Sequence, residues 1–534
     1  MSLNRTLTVS VIVVTALLSF SGCGGGGGLN DTPDPSTSTS WTQGVFADES
    51  QFKNLCQSPR SGTDLNGDAF PDIQGTTAHE NHFLRSWSNN TYLWYSEIPD
   101  LNPNLYDSPT DYFALLKTSA TTQSGSAKDN FHFYMDTAEY QQLTQSGVSV
   151  SYGIEWELVS STPPRELYIR YIEPGSPADA IALGLSRGAQ ITHIDGVDVE
   201  NANTQAGVNT LNAGLFPSES GESHTFTVLD VGSVQPRDVV IQASEVTYDP
   251  VPIVNTFASG QVGYIFFNDH NFVSEDRLYE EMTAMSEAGV TDLILDLRYN
   301  GGGLLYIASQ LAYMVAGDTA TSGKTFEEIR FNDKYPTVNP VTGQALQPTP
   351  FYSTISQYSD NYTQGTALPT LNLSRVFILS TDSTCSASEA IINGLRGIDI
   401  EVILVGTTTC GKPYGFYPTD NCGTTYFTIQ FDGINDKGEG GYSDGFSPIN
   451  TVATPGVLIT GCSVNDDLTS TLGEISDPLV SAALSYRTNG SCPVAATSPK
   501  RTYSPTLKNK AEAEGLILDL PLRLNQKIYL DPNR

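Results

Sequence analysis

The sequence predicts a multidomain α+β protein, and three observations lead to this fold class. The chain has 534 residues, which exceeds the roughly 100 to 200 residues of one domain. Aromatic-rich stretches of helical character come first, and short strand patterns follow them. Strands and helices then alternate, which is typical of a mostly parallel sheet covered by helices. We expect domains at 46–146, 147–247 and 248–497, with a separate segment at 1–45 and a tail at 498–534.

The composition excludes one class of partner. The chain carries 59 acidic against 27 basic residues, for a formal net charge of -32. Such an acidic surface repels a phosphate backbone, so we expect no nucleic-acid partner. With 39% hydrophobic and 16% charged residues, the composition is that of a globular protein. It leaves the oligomeric state open.

The N-terminus carries a targeting signal. Arg5 precedes an apolar run from Leu7 to Phe20, which suits a signal peptide and is too short to cross a bilayer. The following "FSGCGGGGG" resembles a bacterial lipobox, which implies removal of residues 1–22 and lipidation of Cys23. Residues 23–45 then form a lipidated, flexible tether. We expect a protein of the bacterial cell envelope, held at the outer membrane only through this lipid; an ordinary secretory signal is the alternative.

The other cysteines predict disulfides. An even number of cysteines in an exported chain favours disulfide bonds, although six allow 15 pairings. Cys410 and Cys422 bracket a loop that contains glycine and proline, and we expect them to pair. The six cysteines are Cys56, Cys385, Cys410, Cys422, Cys462 and Cys492.

The N-terminal region, 46–146, reads as a mainly helical cap. Within it "DLNGDAFPD" spaces oxygen-bearing side chains as in short calcium loops. The candidate ligands are Asp64, Asn66, Asp68 and Asp72. Gly75 stands where such a loop has its bidentate glutamate, so a solvated, Asx-rich turn is the alternative.

Residues 147–247 resemble a PDZ domain. The resemblance rests on "EPGSPADAIALGLSRGAQITHIDG", which gives a strand end, a short helix and a glycine turn, and on "YGIEWEL". It implies that Tyr152, Gly153 and Ile154 bind the C-terminal segment of a peptide as an added strand, with the carboxylate on backbone N–H groups. A generic β-hairpin domain is the alternative.

The core segment places a serine at a helix start. "TDLILDLR" and "RVFILS" read as strands, and "EDRLYEEMTAMSEAGV" as a helix. The stretch "RVFILSTDSTCSASEAIINGLRG" predicts a strand, a tight turn and a helix. Ser386 and Glu389 have the spacing of a capping box. The same position suits a nucleophile, because helix N-terminal N–H groups favour developing negative charge.

Few residues of the chain could act as the base for this serine. After His270 the chain has no histidine, so a Ser-His-Asp triad would depend on that residue, which we interpret as a core or surface histidine. Between Tyr335 and Asp436 the one lysine is Lys412. A lysine acts as a base when it is neutral, which requires a desolvated site.

Three motifs in order resemble the C-terminal processing (tail-specific) peptidases, a family of Ser-Lys proteases: "DLRYNGGG", "STCSASEAIINGL" and "VGTTTCGKPYG". The resemblance implies a crotonase-like (ClpP/crotonase type) α/β peptidase core. It assigns Ser386 as the nucleophile, Lys412 as the base, and the backbones of Gly302 and Ala387 as the oxyanion hole. It also implies polypeptide substrates with free, hydrophobic C-termini and no required cofactor; calcium remains open at the loop described above.

The chain departs from the family pattern. Two positions that often orient the lysine read Gly397 and Phe416 here, and Cys385 and Cys410 flank the dyad, which allows a disulfide there. Two other functions therefore stay open: an inactive, peptide-binding lipoprotein on the same scaffold, and an acyl-thioester enzyme of the crotonase type. In the tail, "LILDLPLRLNQKIYL" has strand-like spacing, and we expect it to pack on the body.

Overall fold

A computed structural model describes residues 38–64, 67–146, 148–451, 454–493, 527–529 and 532. The signal segment, Cys23, positions 24–37 of the predicted tether, Asn66 and most of the tail lie outside the described residues. The end of the predicted tether is not flexible but packs on the body, because the Val45 carbonyl oxygen accepts a hydrogen bond from Arg85 at 2.9 Å and the Gly44 N–H donates to Asp100 at 2.6 Å. From Thr39 onward the described residues belong to one compact unit.

The N-terminal region packs around one aromatic cluster. Its helices are α1 (Thr77–Thr91), α2 (Pro109–Ala114) and α3 (Thr137–Ser146), and its strands are β1 (Leu55–Cys56), β2 (Ile73–Gln74) and β3 (Phe133–Asp136). Thr76 caps α1, because its side chain accepts a hydrogen bond from the His79 N–H. Phe83 and Trp87 of α1 and Phe113 of α2 are buried together. These contacts give the predicted helical region a hydrophobic cluster, which Tyr426 from the core also joins.

Residues 148–247 form an antiparallel sheet with a separate hydrophobic core. The elements are β4 (Val148–Ser151), β5 (Ile154–Leu158), β6 (Leu167–Ile172), β7 (Gln190–Ile194), β8 (Val197–Asp198), α4 (Gln205–Leu215), β9 (Ser223–Leu229), β10 (Arg237–Gln242) and β11 (Ser244–Thr247). The main strands follow the order β10-β9-β7-β6-β5, and β4 pairs with β11. Strand β5 is therefore the last strand of this order, where a further strand can be added.

The remaining elements build an α/β core. They are β12 (Ile253–Phe257), β13 (Val262–Phe266), α5 (Val273–Glu287), β14 (Asp292–Asp296), β15 (Gly303–Leu304), α6 (Leu305–Ala316), α7 (Asp318–Thr321), β16 (Thr325–Arg330), β17 (Thr349–Pro350), β18 (Arg375–Ser380), α8 (Ala387–Gly397), β19 (Glu401–Gly406), β20 (Tyr414–Gly415), β21 (Thr419–Asn421), β22 (Thr424–Phe427), β23 (Phe431–Ile434), β24 (Phe446–Pro448), β25 (Val457–Ile459), β26 (Gly461–Ser463), α9 (Pro478–Asn489) and β27 (Lys527–Ile528).

The central sheet has the order β12-β13-β14-β18-β19-β26. Strands β12 and β13 are antiparallel, and the other neighbours are parallel. Successive residues of β18 face opposite sides. Val376 and Ile378 join the core with α5, α6 and α8, whereas Phe377 and Leu379 join the core with α9. The predicted, mostly parallel α/β core is confirmed, and both faces of its sheet are covered by helices.

The N-terminal region and the core share a sheet and a disulfide. Strand β22 lies between β21 and β3 in a three-stranded sheet, and Cys56 is bonded to Cys422. The expected Cys410–Cys422 pair is wrong, because Cys410 is bonded to Cys385. Sequence proximity suggested the wrong partner; the pairing of β22 with β3 draws Cys422 to the N-terminal region instead.

A third disulfide joins Cys462 to Cys492. Among the described residues, none of the helices combines the length and the apolar character needed to cross a membrane.

Candidate active site

Ser386 lies in the tight turn between β18 and α8. It is the N-cap of α8 with φ of 63° and ψ of -111°, a conformation that costs a residue other than glycine about 1 to 3 kcal/mol. The residue is fully buried. Its Oγ faces the first turn of α8, yet it has no hydrogen-bond partner among the described residues. The surrounding structure, and not a bond of its own hydroxyl, therefore holds Ser386 in this strained turn.

Glu389 accepts hydrogen bonds from both sides of the site. One carboxylate oxygen accepts from the backbone N–H groups of Ser386 (2.9 Å) and Lys412 (2.8 Å). The other accepts from the Gly411 N–H (2.9 Å) and the Thr409 hydroxyl (2.5 Å). Burial raises the pKa of Glu389, and these hydrogen bonds oppose that rise. The Glu389 half of the predicted capping box is therefore formed, and it also fixes the backbone of Lys412.

Asn300 holds the glycine loop against the serine turn. Its side-chain oxygen accepts from the Gly302 N–H at 2.9 Å and lies 3.0 Å from His270 Nδ1. Its backbone oxygen accepts from the Cys385 N–H at 3.0 Å and from Ser388 Oγ at 3.1 Å. Ser388 is thus a helix residue with a structural bond. The Gly302 N–H, predicted to hold an oxyanion, is donated to Asn300 in this structure.

His270 is a buried, neutral histidine. Because the Asn300 side-chain oxygen can only accept, His270 Nδ1 carries the proton. The other ring nitrogen, Nε2, is buried and has no hydrogen-bond partner among the described residues. Burial lowers the pKa of His270 to about 3. Gly303 is required beside it, since φ is 139° and an added Cβ would lie 2.5 Å from the His270 carbonyl oxygen.

Lys412 is fully buried between aromatic rings. Its Nζ lies 4.3 Å from the centre of the Phe416 ring and 4.7 Å from the centre of the Phe131 ring. Phe416 is a near neighbour in sequence, and Phe131 comes from the N-terminal region. Burial among rings removes water from an amine and penalises its charge, while ring faces attract a cation.

The disulfide between Cys385 and Cys410 links the two halves of the site. These residues precede Ser386 by one position and Lys412 by two, and their Cα atoms are 5.2 Å apart. Cys385, Cys410 and Glu389 lie close enough to hold a metal ion, but bonded cysteines have no thiolate to offer. The site is therefore built for backbone positioning rather than for metal binding.

Two sequence profiles of known protein families match parts of this chain. The sequence profile of peptidase family S41 matches residues 261–418, which contain Ser386 and Lys412, and that of the peptidase S41 N-terminal domain matches residues 79–131. Residues 261–418 are thus similar to the peptidases of family S41, and residues 79–131 to the N-terminal domain of such peptidases. The resemblance to C-terminal processing peptidases is confirmed, and serine peptidases of this family need no cofactor.

Two known proteins illustrate the similarity. A carboxyl-terminal-processing protease of Picosynechococcus sp. is 25% identical over 240 residues, which make up 45% of this chain and 49% of the relative. The match spans about half of that relative's length. A crystal structure of an S41 protease from Bacteroides fragilis gives a TM-score of 0.55 at 22% identity and covers 79% of this chain and 98% of its own. It shows that the fold is shared.

A buried ion network supports the glycine loop of the α/β core. Fully buried Arg298 donates to Asp296 (2.7 Å), Asp466 (2.9 Å) and Asp477 (2.6 Å). Arg187, from the antiparallel domain, also donates to Asp466 (2.8 Å). Burial alone would raise the pKa of Asp466, yet Arg187 and Arg298 hold it well below its usual range. The loop is thus tied to the domain that resembles a PDZ fold.

The predicted peptide-binding residues lie at the start of β5. Gly153 has φ of 75°, and an added Cβ would lie 2.1 Å from Ser176 Cβ, so glycine is required. Its N–H is donated to Ser151 Oγ at 3.1 Å. Tyr152 is buried and donates to the Gly214 carbonyl oxygen at 3.0 Å. Tyr152 thus supports the loop, and Ile154 begins the strand at the end of the sheet order.

The calcium loop fits a cation poorly in this structure. Both carboxylate oxygens of Asp72 accept from the Arg60 guanidinium at 2.8 Å, which lowers the pKa of Asp72. Asp64 accepts from the Asp68 N–H at 2.9 Å. A cation would have to displace Arg60 before Asp72 could bind it. Calcium binding stays a prediction, and Asn66 lies outside the described residues.

Three residues that shape the site had no predicted role of this kind. Asn300 stands inside the glycine motif, but the motif alone predicts no role for it. For Glu389 the spacing predicts only a capping role. Phe131 lies far from Lys412 along the chain, and nothing in the local pattern links the two. Asn300 and Glu389 could have been recognised from the sequence, because they are polar residues inside apolar motifs. The contact between Phe131 and Lys412 can be seen only in the three-dimensional fold.

Proposed function

We propose that the protein is an exported serine endopeptidase of the C-terminal processing type, with Ser386 as nucleophile and Lys412 as base. One observation carries this proposal. A single oxygen of Glu389 accepts from the backbone N–H groups of both residues, and the Cys385–Cys410 bond joins the same two segments. Two residues that are 26 positions apart are thereby held as neighbours.

The proposed reaction begins with proton transfer. The neutral amine of Lys412 takes the proton of Ser386 Oγ as the oxygen attacks the scissile carbonyl. The resulting oxyanion accepts hydrogen bonds from the Ala387 N–H, which is the first of α8 and lacks a partner within the helix, and from Gly302. Lys412 then returns the proton to the departing amine, and an ester on Ser386 remains. Water, activated by Lys412, hydrolyses this ester.

The Gly302 donor must change partners for this step. Its N–H is donated to Asn300 in the structure, so the loop has to turn when a substrate carbonyl arrives. Ser386 and Lys412 are also fully buried, which means that a substrate has to open the site. We therefore assign the structure to a closed state of the enzyme. Two oriented donors at an oxyanion are worth several kcal/mol of barrier.

Substrate capture is assigned to the PDZ-like domain. We propose that a hydrophobic C-terminal segment adds to β5 as a further strand, with its carboxylate near Gly153. The position of β5 at the end of the sheet order supports this. The Gly153 N–H is donated to Ser151 Oγ, so carboxylate binding would replace this short-range bond.

Anchoring in the bacterial cell envelope is part of the same proposal. The "FSGC" pattern supports lipidation of Cys23, and three disulfides suit an oxidising compartment. Cells that express the wild-type chain should release it into the detergent phase, whereas Cys23→Ser should move it to the aqueous phase. Equal partitioning of both would remove the lipid anchor.

The test of the activity compares one unstructured polypeptide with a hydrophobic free C-terminus and its amidated twin. Wild type should cleave the free form faster. Ser386→Ala and Lys412→Ala should lower the rate at least about 100-fold, while Lys437→Ala, at a surface ion pair with Asp399, should not change it.

The same experiment separates the open alternative. If wild type and Ser386→Ala both leave the polypeptide intact but bind its free form more tightly, the protein is a peptide-binding module on a peptidase scaffold. Unchanged cleavage by Lys412→Ala would remove the Ser-Lys assignment.

A further inference from the structure

The tail of the chain enters the core beside the glycine loop. Strand β27 pairs in parallel with β15, with Gly303 opposite Lys527 and Leu304 opposite Ile528. On its other side, Ile528 forms a parallel bridge with Phe416. The tail strand therefore lies between the segment that follows Gly302 and the segment that follows Lys412.

Side chains secure the tail in this position. Ile528 is buried in the same cluster as Leu304 and Phe416. The Tyr529 ring lies 6.0 Å from the Tyr417 ring. Further along, the Pro532 carbonyl oxygen accepts from the Gln357 N–H at 3.2 Å. These contacts show a docked segment rather than a chance approach of the backbone.

The two walls of this slot belong to the proposed active site. One wall continues directly from Gly302, a predicted oxyanion donor. The other contains Phe416, whose ring centre lies 4.3 Å from Lys412 Nζ. An extended main chain between two strand edges gains backbone hydrogen bonds on both sides, which is how proteins bind peptides without strict sequence demands. A polypeptide substrate needs such an extended path to reach Ser386.

We propose that Gly303–Leu304 and Phe416 form a binding slot for an extended polypeptide, and that the chain's own segment Lys527–Tyr529 occupies it as an internal competitor. This proposal rests on the proposed peptidase function. The complete burial of Ser386 and Lys412 agrees with it, because a filled slot leaves the dyad covered. The substrate class is therefore an unfolded chain that can displace a short internal strand.

The tail and the substrate compete for the slot, so substrate binding depends on how often the tail is undocked. A substrate binds only to the fraction of molecules whose tail has left the slot, so its apparent affinity falls by that fraction. A change that weakens tail docking should raise the rate at low substrate concentration. It should also free the slot for an added tail peptide.

The test uses the full chain with Ile528→Asp, which places a charge in the apolar cluster and should release the tail. The matched control is Ile475→Asp, because Ile475 is 64% exposed. We expect Ile528→Asp to raise kcat/KM on the unstructured polypeptide about fivefold or more, and Ile475→Asp to leave it unchanged. Folding of each variant is checked by cooperative thermal unfolding.

A fluorescent synthetic peptide of residues 524–534 gives a second readout that does not need activity. It should bind the Ile528→Asp chain at least about tenfold more tightly than wild type. It should also return the rate of that variant toward the wild-type value, whereas the same peptide carrying Ile528→Asp should do neither. A merely damaged fold would not show this specific rescue.

Several outcomes overturn the proposal. A folded Ile528→Asp chain with an unchanged rate, or with no peptide binding, contradicts it. Peptide binding without a rate increase in an active enzyme does so too, because the slot is then off the substrate's route. If neither the wild-type chain nor Ile528→Asp cleaves the polypeptide, the proposed peptidase function fails. The peptide-binding measurement alone then tests whether the slot binds an extended segment. If Ile528→Asp does not fold, Tyr529→Ala takes its place with the same expectations.

Discussion

The serine and the lysine of the site are held by opposite means. Ser386 stands in a strained turn that backbone hydrogen bonds to Glu389 and Asn300 define. The Lys412 Nζ, in contrast, lies against the rings of Phe131 and Phe416. A nucleophile needs an exact position for its backbone, and a neutral amine needs a water-poor surrounding. The two environments match these different needs, and Glu389 is the point where they meet.

The largest expected effect comes from removing hydrogen bonds that the Glu389 carboxylate accepts. Glu389→Gln replaces one acceptor oxygen with an NH2 group, so at least one N–H among Ser386, Gly411 and Lys412 loses its acceptor. We expect a loss of about 3 kcal/mol in the free energy of unfolding and at least about 1,000-fold in kcat/KM. Denaturant titration and a cleavage assay measure both.

The control for this variant is Glu287→Gln, at an exposed position near the end of α5. It should change neither quantity. If Glu389→Gln retains wild-type activity, the serine turn and the lysine segment do not depend on their shared acceptor. Glu389 would then not be the residue that joins the two environments.

Removal of the disulfide beside the dyad should have the next largest effect. Cys385→Ala with Cys410→Ala opens a loop whose ends are 25 positions apart, which costs about 3 kcal/mol of stability. Removal of Cys462 and Cys492, 30 positions apart, should cost a similar amount. Only the first pair should lower kcat/KM, by about tenfold. Equal activity losses would show that the Cys385–Cys410 bond has no special role in positioning.

The lysine side can be altered without touching the serine turn. Phe131→Ala should admit water to Lys412 and favour its charged form. We expect kcat/KM at neutral pH to fall about tenfold and the activity to recover at higher pH. Phe131→Leu keeps the bulk of the apolar side chain and should change the rate less than about threefold. A pH profile that is identical for all three chains would contradict the assigned role of the ring.

The smallest expected effect is a change, caused by His270 beside the serine turn, in how the free energy of unfolding depends on pH. The pKa of His270 is lowered to about 3 by burial, while an unfolded histidine titrates near 6.5. Between these values the unfolded chain binds more protons, so stability falls as the pH falls, by up to about 1.4 kcal/mol per pH unit. His270→Asn should reduce this slope in denaturant titrations from pH 7 to pH 5. An unchanged slope would place the titrating groups elsewhere.

The sequence predicted what depends on neighbours along the chain. The α5 residues Leu278, Met282 and Met285 are buried as their spacing indicated, and α8 begins directly after Ser386. The strands "TDLILDLR" and "RVFILS" became β14 and β18 with both faces buried. Periodicity and turn chemistry are local signals, and they were sufficient here.

What depends on distant contacts was out of reach. The partner of Cys422 is Cys56, 366 positions away, and no local spacing reveals it. The ring of Phe131 reaches Lys412 only because β3 joins the sheet of β22. The Gly302 N–H donates to the Asn300 side chain, so a donor that a motif assigns to an oxyanion has a different acceptor in this structure. The tail was expected to pack, and its described part does so, but its place beside Gly303 was not foreseen.

The most direct test of the central claim is covalent labelling of the serine. A fluorophosphonate loses fluoride when a serine oxygen attacks its phosphorus, and peptide mass spectrometry locates the adduct. We expect an adduct on Ser386 in the wild-type chain, formed at least about 100-fold more slowly in Lys412→Ala. An adduct on a different residue, or equal labelling rates in both chains, would contradict the claim that Ser386 and Lys412 act together.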